Sequence, residues 1–245
     1  MAEFSTSRTA AGRTAAAIDT GLRAHMNKVY GTMSVGMLIT FAVAWAIGSN
    51  PQLLGIFRDP MTLQPNILGW IVMFAPLLMV FGFSAAINRL TAAAAQTFFY
   101  VFAAVMGLSL SWIFVAFTEF SIAQVFLVTS IAFAGLSLYG YTTKKDISGW
   151  GSFLIMGVIG LIVASVINIF LGSPAIMFAV SILGVLIFAG LTAYDTQKIK
   201  TTYLAHAHHG DSEWLGKAAI MGALELYLDF INMFMFLLQL FGNRE

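Results

Sequence analysis

The chain has 245 residues, of which 59% are hydrophobic and only 9% charged, with a net charge of +1 and no cysteine. So few charges cannot cover a water-facing surface, which excludes an ordinary soluble domain and leaves lipid as the main surroundings. The near-zero net charge gives no electrostatic footprint for nucleic acid, and the absence of cysteine excludes disulfides, thiolate metal sites and a cysteine nucleophile.

The N-terminal segment, residues 1–28, is polar and small and carries Arg8, Arg13 and Arg23. It has no separate apolar stretch, so it does not read as a signal peptide, and Glu3 and Asp19 argue against a transit peptide. We expect it to lie on the cytoplasmic face, ahead of a transmembrane domain over residues 29–245. Seven apolar runs follow: Val29–Ser49, Ile67–Ile87, Thr97–Phe117, Ser121–Thr143, Gly151–Leu171, Pro174–Tyr194 and Ala218–Phe241. Each is about twenty residues, enough at ~1.5 Å per residue to cross a ~30 Å hydrocarbon core. None alternates as a barrel strand would, so the fold class expected is an all-α integral membrane protein of seven transmembrane helices.

Short connections predict antiparallel neighbours. Two are longer: Asn50–Asn66, with Pro51, Pro60 and Pro65, and the stretch from Gln197 to Lys217. Pro76 should disturb the second span. Ala103, Gly107 and Ser111 repeat every four residues along the third, a pattern that lets helices approach closely. With the N-terminus inside, ten of the twelve basic residues fall on the cytoplasmic side, and only Arg58 and Arg244 on the other.

The seventh span, GALELYLDFINMFMFLLQLFG, carries the chemistry. Glu225, Asp229, Asn232 and Gln239 recur at helical spacing on one face, with Leu, Phe, Met, Ile and Tyr elsewhere. Acids facing lipid are costly, so this stripe must face protein or water, and the helix is expected to be surrounded by the other six. Two readings of the stripe stay open: a polar seam that holds helices together, or a functional site. By spacing alone Asp195, in AYDTQKIK at the end of the sixth span, reads better as a headgroup-level acid paired with Lys198 or Lys200, because acids at the boundary cost little. Arg89, the sole charge in SAAINRLTAAAAQ, reads equally as positive-inside anchoring. His206, His208 and His209, with Asp211 and Glu213, could bind a transition metal. A solvated loop is the better reading, and deleting the three histidines should leave ion flux unchanged.

AYDTQKIK followed by ELYLDFINMF resembles the paired signature of the Bax inhibitor-1 (transmembrane Bax-inhibitor-motif) family, and RAHMNKVYGTM is similar to that family's entry into its first span. The resemblance implies six helices around a central C-terminal helix, and a pH-sensitive calcium leak governed by an aspartate pair that maps onto Asp195 and Asp229. It also implies an arginine that interacts with the first aspartate, for which Arg89 is the match. Gln239 departs from the basic residue common at that place.

The physical argument runs beside the resemblance. Two carboxylates in contact in a dry site share one proton. The protonated pair would hold the sixth and seventh helices together, and deprotonation would part them and open a path for a cation. Arg89 would hold Asp195 in one state and release it in the other. Calcium takes about six to eight oxygens. Asp195, Asp229 and Glu225 are too few for a tight site, so Asp195 and Asp229 would be weak, transient calcium ligands and calcium a permeant ion rather than a cofactor. Depth is the obstacle, because Asp195 ends its span whereas Asp229 lies mid-span.

No histidine lies within a span, which argues against intramembrane serine and zinc proteases, and no phosphate-binding glycine motif appears. We therefore expect no enzyme and no nucleic-acid partner. Three functions are carried forward: a pH-gated calcium leak; an interaction protein that modulates a membrane-embedded protease, a partner implied by some bacterial relatives; and a proton-coupled exchanger using the same acids. The short loops suggest a bacterial inner membrane.

Overall fold

Inside a bilayer no water satisfies a peptide group, so every apolar run must close its own hydrogen bonds as a helix. The computed structural model describes residues 3–59, 62, 64–207 and 211–244, with side chains from residue 18 onward. Its helices are α1 Glu3–Gly48, α2 Pro51–Leu54, α3 Ile67–Ala86, α4 Ala92–Leu110, α5 Ile113–Ala116, α6 Glu119–Thr142, α7 Trp150–Leu171, α8 Pro174–His206 and α9 Ser212–Phe241. Among the described residues there are no β-strands, only isolated bridges between Arg58 and Pro65 and between Phe117 and Arg244. Seven helical stretches are long and apolar enough to cross a membrane, with α4 and α5 together forming one of them.

The helix ends follow local chemistry. Asn66, Thr91, Thr118, Ser173 and Asp211 stand as N-caps of α3, α4, α6, α8 and α9, each accepting from a backbone N–H in the first turn. Gly172, at φ 60°, ends α7 in the left-handed conformation a glycine adopts without strain. Pro76 stands inside α3 and withholds an N–H from the carbonyl of Val72.

Three helices run past the apolar runs. No break occurs at Lys28: α1 continues from Glu3, and Leu22, Met26, Val29 and Met33 form one buried stripe at helical spacing. From Glu3 onward the helix thus runs without interruption across the boundary expected at Lys28. The expected loop after Tyr194 is helix as well. α8 reaches His206 and α9 begins at Ser212, so only residues 207–211 connect them. At 33 residues α8 is ~50 Å long, well beyond the hydrocarbon core.

α9 is central. Across its most apolar stretch 61% is buried, against 11% for α7. α1, α4, α6 and α8 pack directly on it, whereas α3 packs mainly on α4 and α7 on α8, completing the surround from outer positions. The stripe of small residues on α4 receives α1. A side chain at Gly107 would meet the backbone oxygen of Thr40 at 2.6 Å, and the Thr40 hydroxyl donates to the Ala103 carbonyl at 2.9 Å. α1 and α6 touch at Tyr30 and Ser137. Beyond that contact they leave a groove of about 830 Å³, lined by Met37, Phe41, Ile122 and Phe126 and floored by Phe230 and Phe234 of α9.

Candidate functional site

α8 and α9 are antiparallel with an even register. Ser181 Oγ donates to Gln239 Oε1 at 3.1 Å, and Phe236 packs over Gly184. Nearer the connection, Lys198 reaches Glu225 and Ile199 covers Gly222. In this register Asp195 faces Asp229, and their carboxyls are close enough to interact directly. The depth obstacle is thus removed. α8 extends eleven residues beyond Asp195 before the chain turns, and α9 climbs back from Ser212 to the same level.

The pair is dry: Asp195 is 8% and Asp229 4% exposed. Among the described residues no N–H or O–H group reaches Asp229 Oδ2. Two carboxyls can share a hydrogen bond only if one is protonated, and with no other donor at Oδ2 the natural donor is that shared proton. A buried carboxylate lacking both proton and partner would be expensive to maintain.

The cation beside the pair is Lys198. Its Nζ lies 2.6 Å from Glu225 Oε1 and 3.6 Å from Asp195 Oδ1. Arg89, expected there, is exposed in the turn between α3 and α4, and among the described residues it makes no ion pair with Asp195. The reason is geometric, because Lys198 stands one helical turn from Asp195 on the same helix and reaches it first. A cleft of about 260 Å³ adjoins this group, lined by His25, Asn88, Lys198, Trp214, Lys217 and Glu225 among others.

The acid stripe of α9 therefore divides. Glu225, Asp229 and Gln239 turn to α8, but Asn232 donates its Nδ2 to the Leu228 carbonyl of its own helix at 2.8 Å and is not brought to the pair. Of the histidine loop, His208 and His209 lie outside the described residues. His206 stacks on Trp214 at 4.0 Å, Asp211 caps α9 through Trp214 N at 2.9 Å, and Glu213 accepts from Ala92 N at 2.5 Å. Those two carboxylates serve helix ends.

Several members of the site escaped the sequence reading. Tyr30, Ser137 and Thr196 form a hydroxyl chain from α1 through α6 to α8, at 2.5 and 3.0 Å, ending on the residue next to Asp195. Thr192 and Thr196, four apart and fully buried, were the available signal. Gln197 accepts from Ile147 N at 2.9 Å and donates to Lys145 O at 2.8 Å, holding the α6–α7 connection against α8. The motif AYDTQKIK thus combines a buried acid, a hydroxyl, a loop clamp and a cation on about one turn of helix.

Comparison with known sequences decides the family. The family model described as "Inhibitor of apoptosis-promoting Bax1" matches residues 22–245. The chain belongs to the Bax inhibitor family. Among its relatives in this family, the inner membrane protein YbhL of Escherichia coli K12 is 45% identical over 225 residues, covering 92% of this chain and 94% of YbhL. A protein of Caulobacter vibrioides is 44% identical over 239 residues, 96% of this chain and 95% of its own length. The Rickettsia prowazekii protein RP147 is 42% identical over 228 residues, 93% of this chain and 92% of its own. The family match starts at Leu22, the first residue of the buried stripe on α1, and takes in every membrane-crossing helix, both acids and the Lys198–Glu225 pair.

Proposed function

We propose that this Bax inhibitor family membrane protein is a pH-sensitive cation leak, with calcium as the cation, gated by the Asp195–Asp229 pair. The observation that carries the reading is the close approach of two buried carboxyls from different helices, with Asp229 Oδ2 lacking any N–H or O–H donor among the described residues. At low pH the shared proton joins α8 to α9. As pH rises the proton leaves, two negative charges face each other in a low-dielectric site, and their repulsion favours separation of the helices. The exposed carboxylate oxygens, with Glu225 at the cleft, then offer a cation weak ligands and leave the rest of its shell to water and carbonyls. By analogy with YbhL, we place the protein in a bacterial inner membrane, and the ten-to-two bias of lysine and arginine toward the side of the N-terminus favours a cytoplasmic N-terminus.

The test is calcium flux into dye-loaded proteoliposomes across a pH series, with Asp195→Asn and Asp229→Asn beside the parent. The parent should leak more as pH rises, and each substitution should flatten that dependence. Proton movement opposite to calcium would mean an exchanger built on the same acids. No flux above empty liposomes at any pH would overturn the leak and leave modulation of a membrane protease as the function to pursue.

A further inference from the structure

Lys198 is the cation this site already contains. Its ammonium bridges Glu225, a carboxylate of the cleft wall, and the buried Asp195, and it forms part of that wall itself. It is also the one lysine or arginine side chain ion-paired to the acids of α8 and α9 among the described residues. Behind it, Asp229 keeps an oxygen with no donor, at 4% exposure. A divalent ion passing from cleft to pair must take the place of this ammonium, because two cations cannot occupy one carboxylate cage without strong repulsion.

We propose that Lys198 is a tethered competitor for the permeant cation: its ammonium fills the outer cation position of the Asp195–Asp229–Glu225 cage, and its displacement sets the apparent affinity for calcium. The proposal rests on the cation-leak reading and adds to it a residue that controls selectivity and saturation. Lysine suits the part because its ammonium is a compact point charge on a flexible four-carbon stem, able to swing out as an ion enters. A half-exposed salt bridge of this kind holds helices together only weakly, so its removal should act on cations more than on the fold.

Full-length protein in calcium-dye proteoliposomes tests this with Lys198→Ala, Lys198→Arg and Asp195→Asn beside the parent. Lys198→Ala should lower the half-saturating calcium concentration by on the order of tenfold, and Lys198→Arg should stay near the parent. Ethylammonium, a free copy of the lost group, should return Lys198→Ala toward parent behaviour and leave the parent unmoved, which a purely structural role would not produce. Should Lys198→Ala not elute as a monodisperse species in detergent, Lys198→Met keeps the stem and replaces it. A Lys198 variant that saturates like the parent and ignores ethylammonium, while Asp195→Asn alters flux, overturns the proposal and spares the leak. Absence of flux in every protein sinks the leak instead. Calcium binding to the detergent-solubilised protein then decides Lys198: tighter, Asp229-dependent binding in the alanine variant supports competition, and binding equal to the parent refutes it.

Discussion

Tyr227 at the centre of α9 donates its hydroxyl hydrogen to Thr40 of α1 at 2.6 Å. The direction is fixed because the Thr40 hydroxyl hydrogen is already given to the Ala103 carbonyl of α4. One buried threonine thus joins α1, α4 and α9 at Tyr227, two residues from Asp229 on the same span. Its position makes the first prediction asymmetric. Tyr227→Phe removes one donor and orphans little, for a loss of about 1 kcal/mol. Thr40→Val leaves the buried Tyr227 phenol without an acceptor and takes the second bond from a carbonyl that keeps its helical N–H, and should lose about 2 kcal/mol. Thermal unfolding in detergent should therefore rank the parent above Tyr227→Phe, and Tyr227→Phe above Thr40→Val; the reverse order would refute the assigned direction.

A second prediction concerns how close α6 lies to α8. A methyl at Gly140 would meet the Ala193 carbonyl oxygen at 2.2 Å, whereas at Gly135, on the same helix, nothing stands within 4 Å. Gly140→Ala must force backbone apart beside Asp195 and should destabilise by about 1–3 kcal/mol. Gly135→Ala meets only lipid and should be neutral or slightly stabilising, since alanine is the better helix former. The paired unfolding midpoints check this, and equal values for both would contradict the packing.

Gln197 gives a third. Its amide holds Ile147 N and Lys145 O, and Ile147 is only 3% exposed. Gln197→Leu should leave the Ile147 amide exchanging hydrogen at the rate of an open loop, while the pH profile of any flux keeps its shape, because neither carboxyl of the pair is touched. Hydrogen exchange by mass spectrometry over 143–149 reads the first effect. Unchanged protection there would show that other contacts hold the connection.

The fourth is a pH effect away from the membrane. Ser148 N donates to Asp146 Oδ1 at 2.9 Å and, with the Ser148 hydroxyl, holds that carboxyl below the usual carboxylate range. A carboxyl depressed in the folded state stabilises it above the ordinary range, and this contribution disappears as pH falls through the depressed value. The parent should thus exceed Asp146→Asn slightly in unfolding temperature at neutral pH, and the two should converge in strong acid. Because the group is fully exposed the difference is small, and the carboxyl NMR titration of Asp146 is the sharper measurement.

Hydropathy, helical periodicity and two short motifs determined a great deal by themselves. Seven apolar runs set seven helices, because lipid permits little else. The spacing of Glu225, Asp229 and Gln239 placed them on one face of α9, because 3.6 residues make a turn whatever the neighbours are. The same logic read Ala103, Gly107 and Ser111 as a contact surface, and α1 occupies it. What the sequence could not supply was the relation between helices. Hydropathy stops at Tyr194 and resumes at Ala218, so it missed the polar turns that carry α8 to His206 and start α9 at Ser212, and with them the register that sets Asp195 against Asp229. Residue spacing offers Lys198 as a partner of Asp195 and the family resemblance offers Arg89, since a motif records which residues are present and not which of them is within reach. Asn232 shares the periodicity of its acidic neighbours yet bonds to its own helix. Faces are local, fixed by the backbone's own repeat; partners are chosen only when separate helices pack, and the tertiary structure alone decides that.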